Sequence, residues 1–175
     1  MTSLKRKKFI SMLLVLAMVF TLLPATLAFA ASYETVEDFV RNLYVSGLGR
    51  EPEVGGFNYW VNELKNGRPA AEVIGYVLLD SPEFKEKYEG ISNEEFAKKA
   101  YEIVFNREAD EEGLEFWISE MEKGGSQRYV IVAMLYAPTG EFQEFCDKVG
   151  IRLGSLTVPP DEYPGTEPVE LKVEE

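Results

Sequence analysis

Apolar residues along the middle of the chain return every three to four positions, the spacing that gathers them on one face of a helix. Phe39, Val40, Leu43 and Tyr44 form one such set, Phe57, Trp60, Val61 and Leu64 a second, and Val73, Ile74, Val77 and Leu78 a third. Polar and charged residues occupy the positions between, so each segment predicts an amphipathic helix. Ser81-Pro82-Glu83-Phe84 predicts the start of a fourth, short helix. There Ser81 can cap, proline suits the first turn, and Glu83 favours the positive end of the helix dipole. No stretch alternates apolar and polar residues for long enough to predict a strand.

The same pattern then runs a second time. Residues 37–79 laid over 94–136 at a constant offset of 57 are identical at 12 of 43 positions, where average composition would give about two or three. Tyr44/Tyr101, Arg50/Arg107, Glu51/Glu108, Gly56/Gly113, Trp60/Trp117 and Gly67/Gly124 are among the matches. The register slips by one residue afterwards, and Glu83-Phe84 corresponds to Glu141-Phe142, so the second copy carries one extra residue in its turn. Thr35 to Asp38 and Ser92 to Glu95 both read as capping boxes, and Gly67 and Gly124 fall where a helix end wants a left-handed residue.

These signals predict an all-α fold of about eight helices, built from two tandem copies of a roughly four-helix repeat. The copies should share one globular domain, because a unit of about 57 residues buries little surface alone. The first repeat spans 33–91 and the second 92–153. Residues 154–175 form an acidic, proline-rich tail, expected to stay open and solubilise the chain, with docking of the tail as the alternative.

Ahead of the repeats, Lys5, Arg6, Lys7 and Lys8 precede an uncharged run from Phe9 to Leu23, then Pro24 and Ala28-Phe29-Ala30. That is the layout of a secretory signal peptide over residues 1–30, too short and too broken for a spanning helix. Its removal takes four basic residues and no acidic one, so the charge moves from −12 to −16. The chain is therefore expected to be secreted, extracellular or associated with the cell surface, with no membrane span after cleavage. So acidic a surface repels phosphate backbones and anionic headgroups, which argues against nucleic acid and bare membrane as partners.

Histidine is absent and cysteine occurs once, so the commonest general base, the commonest zinc ligands and an intrachain disulfide are unavailable. No phosphate loop, nucleophile elbow or metal-ligand spacing is present, and no cofactor is called for. The candidate residues are those of the repeated motif: Arg50, Glu51, Gly56 and Trp60 in the first copy, Arg107, Glu108, Asp110, Gly113 and Trp117 in the second. Since an active site rarely needs building twice, Arg50 and Arg107 are expected to bind carboxylates or helix-end carbonyls of their own copy and lock a turn. Asp110 and Glu53 should begin the second helix of each copy, Asp110 as the better cap.

Three sharper alternatives accompany that reading. Asn106, Glu108, Asp110 and Glu112 alternate oxygen donors in the manner of a calcium loop, but the glycine and bidentate glutamate of an EF-hand are missing. Trp60 and Trp117 could stack on sugars, although each falls on the apolar face of its helix and core packing is the expected use. Cys146 reads as a small buried hydrophobe, with an intermolecular disulfide as the alternative.

Gly49-Arg50-Glu51-Pro52-Glu53-Val54-Gly55-Gly56-Phe57-Asn58-Tyr59-Trp60, its echo Asn106-Arg107-Glu108-Ala109-Asp110-Glu111-Glu112-Gly113-Leu114-Glu115-Phe116-Trp117, and Asp80-Ser81-Pro82-Glu83-Phe84 resemble the domain-of-unknown-function 4214 family. The resemblance covers about residues 33–150. It implies a helical module of secreted and cell-surface bacterial proteins, similar to the structural linker domains of phycobilisomes, and it supplies no catalytic residues. The chain departs from the pattern at Gly47, at Gly55 and at Ala137-Pro138-Thr139-Gly140, so the last helix of the second copy is expected to be displaced or frayed. The expected function is a non-catalytic scaffold or interaction module that meets an extracellular protein or a cell-wall polysaccharide. The alternative is a carbohydrate-binding or carbohydrate-cleaving protein using an exposed tryptophan and a carboxylate pair.

Overall fold

The computed structural model describes residues 33–164, and among them there are eight helices and no strand. Helix α1 (Val36–Asn42) continues without a break into a wider π-type segment, Leu43–Leu48. Helix α2 covers Val54–Lys65, and α3 covers Ala70–Ile74 before widening in the same way over Gly75–Leu79. Helix α4 (Pro82–Tyr88) closes the first copy. The second copy repeats the order with α5 (Asn93–Phe105), α6 (Glu111–Glu122), α7 (Gln127–Leu135) and α8 (Glu141–Val149).

Local chemistry sets the helix ends. Ser92 and Glu95 form a complete capping box on α5, and Thr35 accepts from the Asp38 amide at 3.0 Å on α1. Asp110 caps α6 by accepting from the Gly113 amide at 2.8 Å, whereas Glu53 makes no such bond on α2. Ser81 also caps with no side chain; Pro82 at the first position starts α4 without it. Gly67 (φ 95°) and Gly124 (φ 100°) both end their helices in the left-handed region, as expected. The amides that follow, Arg68 and Gly125, reach back to the carbonyls of Glu63 and Glu120 in paired Schellman turns.

The two copies exchange aromatic contacts. Phe39 of α1 packs on Phe142 and Phe145 of α8 at 5.6 and 5.4 Å between ring centres. Its repeat partner Phe96 of α5 packs on Phe84 and Tyr88 of α4 at 6.4 and 5.6 Å. The first helix of each copy thus rests on the fourth helix of the other, and one core runs through both. Polar ties follow the same seam: Tyr33 donates to the Ile103 carbonyl at 2.7 Å, and buried Asn42 donates to the Glu102 carbonyl at 2.9 Å. Burial pushes the Tyr33 phenol far above its ordinary range, so it remains a neutral donor.

Two expectations need correction. Helix α8 is neither displaced nor frayed: it runs nine residues, and Phe142, Phe145 and Cys146 anchor it in the core. Residues 154–164 are likewise not an open tail. Ile151 and Val158 are buried, and the Arg152 and Leu153 carbonyls accept from the Ala70 and Ala71 amides at 2.8 and 3.0 Å. Further along, the Glu162 carbonyl accepts from the Ser126 amide at 3.0 Å. Residues 151–164 together are a strap that satisfies free amides at the start of α3, through the end of the second repeat, and of α7, through the tail. Interspersed Leu153, Leu156 and Val158 supply the apolar contacts that its acidic composition concealed. The predicted signal peptide and the rest of the acidic tail lie outside the described residues, and no helix of the described part is long and apolar enough to cross a membrane.

Candidate functional site

The repeated arginine closes a clasp in both copies. Arg107 lies in the loop after α5 and grips Glu141, in the first turn of α8, through Nε and Nη2 at 2.8 and 2.9 Å. Arg50 grips Glu83 of α4 in the same bidentate way at 2.7 and 3.0 Å. Each guanidinium also lies over the tyrosine of its first helix, Arg107 over Tyr101 at 4.9 Å and Arg50 over Tyr44 at 5.2 Å. The expected structural role of Arg50 and Arg107 is thus given its partners. Sequence alone aligned Glu83 with Glu141 without assigning them; the signal was an acidic residue preserved across the register slip.

The glycine of the motif makes room for that tyrosine. A Cβ at Gly113 would stand 1.9 Å from the Tyr101 hydroxyl, and one at Gly56 would stand 3.2 Å from the Tyr44 hydroxyl. Burial, followed by the charge of Asp110, raises the Tyr101 phenol, and a hydrogen bond with Trp117 opposes them. Of the remaining motif residues, exposed Glu51 pairs with Arg41, and Glu108 contributes its carbonyl to Arg107 at 2.9 Å.

The tryptophans differ. Trp117 is 7% exposed and belongs to the core, while Trp60 is half-buried and stacks on Tyr76 at 6.1 Å with 22° between the rings. Position 133, the repeat equivalent of Tyr76, is alanine. Where Tyr76 covers Trp60, Ala133 leaves a pocket of about 480 Å³ whose lining includes Tyr101, Trp117, Phe116, Tyr129 and Tyr136. Arg107, Asp110, Glu112 and Glu141 bring charge to the same lining, and the turn Ala137-Pro138-Thr139 closes one side. No motif in the sequence marks this pocket; its one signal is a tyrosine-to-alanine change between otherwise matched helices.

The alternative calcium set is not assembled. Asn106 ends α5 in the left-handed conformation (φ 52°), doing what Gly49 (φ 76°) does in the first copy, and Asp110 is engaged as a helix cap. Among the described residues no group of three or more acidic or sulfur side chains is placed to hold a metal ion. Cys146 is fully buried, with its thiol pushed up to about 12 by loss of solvent, so the intermolecular disulfide gives way to the packing role.

No curated protein and no solved structure matches the chain. A family pattern matches it twice, over residues 25–75 and 76–146. The two matches together take in most of the sequence and every residue of both clasps, and the chain belongs to the family described as Domain of unknown function (DUF4214), which it carries in two tandem copies.

Proposed function

We propose that this chain is a secreted, non-catalytic helical scaffold, an interaction module of the bacterial cell surface or extracellular matrix. The observation that carries the reading is the fate of the repeated motif. Arginine and glycine recur because each copy uses them to clasp its own helices, so the centre of the motif is spent on structure in both copies. A connector role suits a double-copy body with a strap across it. Side chains open to a partner include Val54, Tyr59 and Tyr76 on the first copy and Phe116 and Tyr136 on the second.

Carbohydrate binding is the second reading, and the stacked pair Trp60–Tyr76 favours it, because Tyr76 is exposed beside the ion group of Arg68, Glu63 and Glu72. One experiment serves both. Labelled protein is incubated with purified cell wall, with live cells and with fractionated culture supernatant. Retention by a protein fraction that weakens in a Tyr59→Ser/Tyr76→Ser variant is the outcome expected of the scaffold. Retention by polysaccharide alone would transfer the case to the second reading, and retention no greater than that of an inert acidic protein would remove both.

A further inference from the structure

The pocket over Trp117 has a chemical bias. Three of its donor side chains are already committed: Tyr129 donates to Glu120 at 3.1 Å, Tyr136 donates to the Gly154 carbonyl at 3.2 Å, and Arg107 is held by Glu141 and the Glu108 carbonyl. Its acceptors are in surplus, since three carboxylates, Asp110, Glu112 and Glu141, line it against the single guanidinium of Arg107. Arg107 is matched by Glu141 and lies 3.5 Å from Asp110, which leaves net negative charge beside an aromatic lining. A ligand rich in acceptors, such as a carboxylate or phosphate, would meet repulsion. A primary ammonium keeps its water strongly and asks for several close acceptors, whereas a methylated ammonium is weakly hydrated and is attracted to aromatic rings and carboxylates together.

We propose that this pocket binds a quaternary ammonium group of a choline-like small molecule, held by Phe116, Trp117 and Tyr136 with Asp110 and Glu112 as counter-charge. The first copy has no such site, because Tyr76 occupies the space that Ala133 vacates and Gly55 stands where the second copy has Glu112. The net charge of −12 on the chain assists by raising the local concentration of cations. The proposal goes beyond the scaffold reading and does not depend on it, because its readout is a free small molecule and not a partner protein.

The test is calorimetric titration of the purified chain with choline, with its neutral isostere 3,3-dimethylbutan-1-ol, and with ethanolamine. Choline is expected to bind about tenfold more tightly than either. Ala133→Tyr, which rebuilds the filling of the first copy, should abolish the heat, and Phe116→Ala at an exposed position should weaken binding severalfold. Should Ala133→Tyr fail to fold, Phe116→Ala and Glu112→Gln decide. Absence of choline binding, equal affinity for the neutral isostere, or full binding by the variants that fold would overturn the proposal.

Discussion

The two clasps share their residues and differ in their surroundings. Arg50 and Glu83 keep 42% and 41% of their side-chain surface in solvent, whereas Arg107 and Glu141 keep 14% and 6%. An exposed pair gains little, because water screens the attraction and two long side chains must be held still. A largely buried pair differs in kind: forming it offsets a large desolvation cost, but removing one member leaves a poorly solvated charge without its main partner. One motif is thus a loose tie in the first copy and a fixed joint in the second. The pocket lies in the copy that has the fixed joint, and Arg107 and Glu141 help to line it.

The largest expected effect breaks that contrast at its stronger end. Glu141→Ala should cost about 3 kcal/mol in urea unfolding, against about 0.5 kcal/mol for Glu83→Ala. Replacing both members, as in Arg107→Met with Glu141→Leu, should recover much of the loss, because no charge is then left stranded. Comparable costs at Glu83 and Glu141 would show that burial does not separate the clasps.

Next in size is the glycine beneath each tyrosine. Gly113→Ala forces the Tyr101 hydroxyl away from α6 and should cost about 2 kcal/mol. In Gly56→Ala the 3.2 Å contact gives slightly while the helix gains propensity, so the melting temperature should hardly move. Smaller and spectroscopic is the split between the tryptophans. A Trp60→Phe variant, reporting Trp117 alone, should emit to the blue and resist iodide, while Trp117→Phe should leave Trp60 open to quenching.

The smallest effect is that of pH. The Arg50 hydrogen bond lowers the Glu83 carboxyl below its ordinary 4.5, and Lys65 does the same for Glu37 and Lys123 for Glu120. A carboxyl lowered in the folded state contributes stability in full above the unfolded value and loses it as pH falls through the folded one. Melting temperature should therefore fall gently below about pH 4.5, with a shallower slope in Glu83→Gln.

Periodicity and caps made the helices legible before any coordinates, since Ser92-Glu95 and Gly67/Gly124 act locally and are read locally. The clasp was half legible: repetition singled out Arg50 and Arg107, but their partners lie 33 and 34 residues away, across the register slip. Asn106 entered the alternative calcium set because a left-handed helix end and a ligand loop call for the same side chain. The strap was hidden because proline and acidic content describe an open chain, and only three-dimensional packing shows that Leu153, Leu156 and Val158 meet apolar neighbours. The pocket follows from the small size of Ala133, and a missing side chain leaves no motif.

The strap also determines how the body would bear tension. A pull entering from beyond residue 164 meets the Tyr163 ring on Tyr129 first, next the Ser126–Glu162 bonds, then the Arg128 contact with the Thr157 carbonyl, then Tyr136 on Gly154, and last the pairing of Ala70 and Ala71 with Arg152 and Leu153. These attachments come loose one after another, like a peeled strip, and lifting it also draws Val158 and then Ile151 out of the shared core. A tethered molecule would therefore lengthen in small steps under load.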